Sequence, residues 1–256
     1  MANTIFDNKI IEAKAKDLLT TAINTRSLMS VDTELAQTAG MTKTINVYTY
    51  SGEAEEVGIG EGNSTRGALS YTGKDYTVKM VQANFDYADE DFMKDNTVVD
   101  NGVAGATAIL KNKMTADFFA ECAKATLKQI GAFSYDTAVD AIAKLNIEDE
   151  SKLFIVAPTA WKAQLRKDDD FKAARMGEVV YTGQTHTLCG IPVVFTNALA
   201  EAAYVMTPDA VKLFIKKDVE AEQDRNADKR MNEVYIRSAY VCALVDATKI
   251  CAIVEA

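Results

Sequence analysis

DEDFMKDNTVVDNGVAGATAILKNKMTADFFAECAKATLK, residues 89–128, sets its apolar side chains at helical spacing. Within it Val99, Val103, Ala106, Leu110, Met114, Phe118 and Cys122 recur at three- and four-residue steps, which places them on one stripe of a helix. Asn101, Lys111, Asn112, Lys113, Asp117, Glu121 and Lys124 fall on the other face, turned to water or to a partner. A helix from Val103 to Lys128 is about 39 Å long at 1.5 Å per residue, long for a chain of this size. Gly102 and Gly105 weaken its first turns, so residues 89–95 are predicted to form a separate short helix with Asp89 as N-cap. Gly131 is read as the end of the long one.

Upstream, Ile45 and Val47 alternate with Thr44, Asn46 and Tyr48 in strand chemistry. Residues 52–73 hold Gly52, Gly58, Gly60, Gly62, Gly67 and Gly73 and few large apolar groups, so they do not belong to a core. Tyr76, Val78 and Met80 alternate in one phase and Val81, Ala83 and Phe85 in the other, which requires a bulge or a change of sheet near Met80. The two strands and the Gly-rich middle make a long projecting hairpin, followed directly by the long helix. Before it, residues 3–25 carry Phe6, Ile10, Ile11, Leu18, Leu19 and Ile23 among charges, a weakly amphipathic helix or arm too sparse to hold a core.

Downstream, residues 135–145 read as a helix, apolar at Ala138, Val139, Ile142 and Leu145, and residues 153–157 as a buried strand closed by Pro158. Residues 159–166 read as a helix capped by Thr159, and 167–172 as an exposed charged stretch. Strands are predicted at 179–181 and 187–195 around a turn at Gly183, at 204–206, and from Asp209 through Val211, Leu213 and Ile215. The charged segment 218–229 and the return through Val234, Ile236 and 240–245 imply a second long hairpin turning at 226–229, and 250–254 adds a last strand.

A chain of 256 residues, 48% hydrophobic and 25% charged, buries a core as one large domain or two small ones. A net charge of −9 argues against a surface that grips nucleic acid, because that binding needs clustered Lys and Arg. No apolar segment follows a basic start, and the apolar run 239–254 is cut by Asp246 and Lys249, so neither signal peptide nor membrane span is expected and the product reads as cytoplasmic. Cys122, Cys189, Cys242 and Cys251 are widely spaced, which suits buried reduced thiols rather than a disulfide or zinc framework.

Fragments that imitate active sites fail on inspection. Gly58, Gly60 and Gly62 are not a dinucleotide fingerprint, because Asn63 stands where the third glycine belongs. The segment 67–74 resembles a phosphate loop, but Asp75 replaces the magnesium-binding hydroxyl. His186, the only histidine, could pair with Cys189 as base and nucleophile, but Cys189 lies in the apolar 188–194 strand and reads as packed. Asp168, Asp169 and Asp170 could attract a cation, yet lack the glycine and terminal glutamate of a calcium loop and read as a solvated charge run.

The order of parts, with LFIVAP (153–158) before a helix, TLCGIPVV (187–194), and YVMTPD (204–209) before the charged hairpin with VYIR (234–237), resembles the major capsid proteins of tailed bacteriophages, the Hong Kong 97 type fold, over nearly the whole chain. The resemblance implies an α+β fold with an N-terminal arm (1–40), an extended loop hairpin (41–81), a peripheral domain with a long spine helix (82–131 and 218–246) and an axial domain (132–217 and 247–256). It implies a non-catalytic structural protein without cofactor or metal, assembling as pentamers and hexamers into the icosahedral head of a double-stranded DNA phage or prophage. Its implied partners are a separate scaffolding protein and a portal, with DNA enclosed rather than specifically bound and no membrane. It implies a place in the virion after assembly in the host cytoplasm. In that family the extended loop lies over the neighbouring subunit. Carried over, residues 53–73 are the lapping loop, and intersubunit contacts are expected at Glu55, Glu56, Gly58, Gly60, Gly62 and Arg66, and at Asp224, Arg225, Lys229 and Arg230 on the second hairpin. The alternative for each charged residue is solvated surface.

Two departures carry expectations. Some members join subunits through a lysine on the extended loop, whereas here no lysine lies between Lys43 and Lys74, so no cross-link is expected. Some carry a long cleaved scaffolding extension, and this chain begins almost at the arm, so a separate scaffold or none is expected. Two other readings stand beside this one: an encapsulin-type compartment on the same fold, and a small enzyme using Cys189 or the acidic cluster.

Overall fold

The computed structural model describes residues 25–174 and 187–255, together with Ile11 and Ala15. The chain enters through β1 (Ser30–Asp32) and a helical turn α1 (Glu34–Gln37), then pairs β2 (Thr42–Ser51) with β3 (Ala68–Thr77). After β4 (Lys79–Ala88) come the short helix α2 (Asp89–Lys94) and the long helix α3 (Val98–Cys122). Next are β5 (Leu127–Ile130), α4 (Tyr135–Leu145), β6 (Phe154–Pro158), α5 (Lys162–Lys167) and α6 (Asp169–Ala174). The last part holds β7 (Thr187–Leu188), β8 (Ile191–Thr196), β9 (Ala202–Met206), β10 (Val211–Asn226), β11 (Met231–Leu244) and β12 (Ile250–Val254).

Three sheets result. A four-stranded sheet runs β1-β10-β11-β4, a six-stranded sheet runs β5-β12-β9-β6-β8-β7, and β2 pairs only with β3. Helix α3 packs on both larger sheets. Val99, Val103, Ala106 and Leu110 bury against Ala83, Val219, Ala221, Val234 and Ile236 of the four-stranded sheet, with Ile11 and Ala15 in the same cluster. One stripe lower, Met114, Phe118, Phe119 and Cys122 enter a cluster that also takes Leu213, Ile215 and Tyr240 from the four-stranded sheet and Val156, Met206 and Ala252 from the six-stranded one. A second core, of Phe133, Leu145, Ile155, Trp161, Leu165 and Phe171, lies on the other face of the six-stranded sheet under α4, α5 and α6.

Among the described residues β5 pairs only with β12, and α4 meets its outer edge: Lys144 Nζ donates to the Lys128 carbonyl at 2.8 Å, and the Gln129 side-chain amide donates to Asp140 at 3.1 Å. The phase slip in the sequence is a change of sheet. It falls at Val78, two residues before the expected place, where β3 leaves for the projecting pair and β4 joins the four-stranded sheet. Val78 is buried, and its N–H donates to the Met41 carbonyl at 2.8 Å.

Several boundaries differ from the sequence reading, each for a local reason. The long helix runs 98–122 rather than 103–128. Gly102 sits inside it because the Phe85 ring packs where a Cβ would stand. Its other end gives way to β5, since Leu127 to Ile130 gain a parallel ladder with Cys251 to Val254, and Gly131 follows that strand instead of a helix. Asp89 is not the N-cap of α2. Ala88 holds that position and its N–H donates to Asp91 at 3.3 Å, which frees Asp89 for longer-range contacts. On α4, Ala141 is buried and Val139 exposed, the cap being Ser134, whose hydroxyl accepts from Thr137 N–H. Thr159 opens a 3-10 turn without capping, and the helix starts at Lys162. The charged stretch 167–172 hides Phe171, fully buried on α6. Cys189 is in the β7–β8 turn with φ +54, followed by Gly190 at φ +80, so it is half-buried rather than inside a strand. The last six residues of the Gly-rich segment, 68–73, are strand. The expected arm helix at 3–24, the strand at 179–181, the Gly183 turn and His186 lie outside the described residues, Ile11 and Ala15 excepted.

The two helix glycines make opposite demands. Gly105 faces open space, so Gly105→Ala should stabilise the chain by about 1 kcal/mol, the helix-propensity gain. Gly102→Ala should instead lower stability by about 1 kcal/mol or more, because the new methyl displaces Phe85. Urea midpoints of the two unassembled variants check both signs.

Candidate intersubunit surfaces

The β2–β3 hairpin is held to the body only at its base. Tyr76 and Val78 are buried with Leu35, Phe214, Ala239 and Ala243, with Ile45 packed against them, and the Tyr76 hydroxyl donates to the Leu244 carbonyl at 3.2 Å. Lys74 Nζ donates to the same carbonyl at 3.3 Å. Beyond that base both strands are exposed, Val47, Tyr48, Tyr50, Leu69 and Tyr71 included. Ten residues per strand reach about 33 Å. A lone two-stranded ribbon is marginal in water, and this one leaves both of its outer faces uncovered by the described residues of its own chain.

The loop joining the strands has its own internal structure. At its neck the Tyr50 ring lies across Gly52 and Gly67, where any Cβ would collide with the ring. Further out the Glu55 carboxylate spans the loop and accepts from Ser64 N–H at 2.6 Å, Ser64 Oγ at 2.8 Å, Thr65 N–H at 3.0 Å and the Thr65 hydroxyl. These bonds, the Thr65 hydroxyl first, hold the Glu55 carboxyl down at about 2. At the tip Glu61 N–H donates to the Gly58 carbonyl at 3.1 Å, and Gly60 at φ +83 takes the third turn position, which leaves Ile59 fully exposed. Glu56, Gly62 and Arg66 are exposed beside it.

The β10–β11 hairpin ends in a locked tip. Asp89 receives Asn232 Nδ2 at 2.8 Å and Arg225 Nη2 at 2.8 Å, and these partners, Asn232 first, lower its carboxyl pKa. Asp89 N–H donates to the Arg230 carbonyl at 3.0 Å, Arg230 Nη1 pairs with Glu90 at 2.8 Å, and Lys229 N–H closes the turn on Asn226 Oδ1 at 3.1 Å. Arg225 and Arg230 are therefore tied to their own α2 in the single chain. Asp224 lies on the other face, in register with Glu233 and then Asp86 on adjacent strands.

Burial raises the Cys189 thiol, which leaves it protonated rather than activated. Asp168 accepts from Tyr135 N–H at 2.6 Å and from Asp170 N–H at 3.1 Å, so it ties a loop. Among the described residues no group of three or more His, Cys, Asp or Glu is placed to hold a metal, and no helix is long and apolar enough to cross a membrane.

No protein-family model matches the chain. It is 25% identical over 235 residues to the major capsid protein of Staphylococcus phage phiMR11, covering 87% of this chain and 84% of that one. Its structure is similar to the mature capsid chain of bacteriophage PhiM1, with TM-score 0.73 at 10% identity over 90% of this chain and 86% of that one. It is also similar to the virus-like particle protein of Pyrococcus furiosus, with TM-score 0.67 at 9% identity over 97% and 100%. This is the Hong Kong 97 type capsid fold.

The capsid resemblance read from the sequence is thus borne out at the level of the fold. Sequence reasoning passed over two features of this fold. One is the tyrosine pair Tyr48 and Tyr71, whose rings lie 5.9 Å apart, and which the alternation of Tyr48 with Tyr50 could have signalled had β3 been extended back to Ala68. The other is Asp89 as a latch, for which sequence spacing gives no sign because its partners lie more than 130 residues away.

Glu55→Ala should open residues 52–67 to limited proteolysis several-fold faster without changing far-UV circular dichroism. Because the folded-state value is depressed from 4.5 to about 2, the wild-type protection is complete above about pH 4.5 and is lost as pH falls through about 2. Cleavage by an acid protease across that window, compared with the variant, checks the sign.

Proposed function

We propose that this chain is the major capsid protein of a tailed double-stranded DNA bacteriophage or prophage, assembling as pentamers and hexamers into an icosahedral head. The observation that carries this reading is the projecting hairpin, about 33 Å of paired strand with exposed aromatic side chains, on a fold whose likeness to the mature PhiM1 capsid chain covers 90% of this chain. Such a ribbon is ordered by lying on neighbours, and a closed shell supplies a neighbour to every copy.

In this reading residues 1–40 are the arm, 41–81 the extended loop, 82–131 with 218–246 the peripheral domain, and 132–217 with 247–256 the axial domain. The loop residues Glu55, Glu56, Gly58, Gly60, Gly62 and Arg66 and the hairpin-tip residues Asp224, Arg225, Lys229 and Arg230 face other subunits. Arg225 and Arg230 act there as parts of a stiffened tip, since each already has a carboxylate of its own chain. The role is structural and without catalysis. A portal and a separate scaffolding protein are its partners, and the net charge of −9 suits a container that encloses DNA without gripping it. A second reading, an encapsulin-type compartment shell, is favoured by the likeness that spans the whole Pyrococcus furiosus particle chain.

Negative-stain electron microscopy with light scattering of the purified chain tests both. Closed shells, tubes, or pentamers and hexamers are expected, with packaged DNA for the phage head and an enclosed cargo enzyme for the compartment. A uniform monomer or dimer at high concentration, also when co-expressed with the neighbouring late genes, would refute the shell role. A denaturing gel of mature particles should show a single band near 28 kDa, since no lysine lies between Lys43 and Lys74; a ladder of covalent multimers would contradict this.

A further inference from the structure

The ladder register divides the hairpin into two faces. Residues directly opposite share a face, and successive residues alternate. Lys43 with Tyr76 and Ile45 with Lys74 form one face at the base, and that face is turned to the chain's own core, where Tyr76 and Ile45 pack and Lys74 bonds the Leu244 carbonyl. The other face carries Thr44 with Asp75 near the base and, farther out, Tyr48 with Tyr71 and Tyr50 with Leu69. Tyr48, Tyr50, Leu69 and Tyr71 are 61, 67, 64 and 69% exposed. The positions behind them are Thr49 with Ser70, both hydroxylated, and Val47 with Thr72, where Val47 is the one exposed apolar side chain.

We infer that the hairpin docks by this tyrosine face on a second copy of the chain. The inference rests on the capsid reading above and adds to it the side of the ribbon that makes the contact. The chain's own body does not cover the tyrosines, because the hairpin meets that body with its opposite face. Three rings at two-thirds exposure offer on the order of 400 Å² of contact, more than the isolated apolar side chains of an ordinary surface. The same area is about half of what each partner contributes to a stable isolated pair. The hairpin therefore works as one of several contacts around a ring of copies rather than as the whole of a dimer interface. The connecting loop carries Glu53, Glu55, Glu56 and Glu61 against the single cation Arg66, whereas on the outer side of α3 Lys113 is paired with Asp117 of its own chain and Lys111 is the cation left to complement a neighbour's loop. Tyrosine suits such a contact, since it presents a rigid apolar ring and keeps its hydroxyl in reach of a polar rim.

Two measurements on the full-length chain test this. In the first, the double variant Tyr48→Ser with Tyr71→Ser is compared with Val47→Ser with Thr49→Ser on the opposite face. The tyrosine variant should raise the concentration needed for shell formation at least tenfold, and the opposite-face variant should leave it within twofold. Equal effects of the two variants overturn the face assignment while the wild-type shells keep the capsid reading. In the second, tyrosine nitration of wild-type protein is read by mass spectrometry before and after assembly, which needs no substitution. Nitration at Tyr48 and Tyr71 should fall at least tenfold in shells, and unchanged nitration there overturns the inference. Wild-type protein that never associates removes the capsid reading and this inference together.

Discussion

Met114, Phe118, Phe119 and Cys122, on the last turns of α3, are packed against both large sheets at once, and the rest of the molecule is placed by that contact. Without it the four-stranded sheet, with the upper half of the helix, and the six-stranded sheet, with its own helices, are two separate layered cores. Phe118 and Cys122 are wholly buried there. Loss of one such ring typically costs about 3–5 kcal/mol, a large share of the 5–15 kcal/mol that holds an ordinary domain together. The length of α3 follows from this job. It must run along one sheet far enough to bury four positions and still reach the junction with the other.

The projecting hairpin is built on the opposite principle. Its base is fixed by Tyr76 and Val78, its neck by a ring laid over two glycines and its loop by one carboxylate, but none of these buries the strands between. The local devices restrict the neck and the loop, so that a surface meeting the ribbon has less left to order. The β10–β11 tip is prepared in the same way by Asp89, whose bonds to Asn232 and Arg225 join it to the start of α2. The parts that extend furthest from the cores are thus stiffened by polar contacts, and the parts that join the cores are apolar.

The sequence reading succeeded where periodicity is set by burial and failed where it is set by pairing with distant strands. The stripe from Val99 to Cys122, the helix 135–145, the strand 154–158 and the two hairpins were legible because one face of each is apolar. The helix was read on to Lys128, and only the ladder with β12, more than 120 residues away, makes Leu127 to Ile130 a strand. Gly102 read as a weak point because propensity is local, whereas Phe85 comes from another element. The surface was legible in composition but not in arrangement. Glu55 is bonded within its own loop and Arg225 and Arg230 within their own chain, and which charges meet across the fold cannot be taken from spacing.

The rim of the six-stranded sheet has one more consequence. A chain whose copies gather at high local concentration is exposed to uncontrolled polymerisation, since a bare strand edge accepts any other strand and the pairing has no natural end. β5 is such an edge, yet the Lys144 ammonium occupies the Lys128 carbonyl and Gln129 is drawn aside to Asp140. A strand arriving there would first have to displace a charged hydrogen bond and desolvate the lysine. One side chain on α4 thereby makes this edge a poor template for open-ended strand addition.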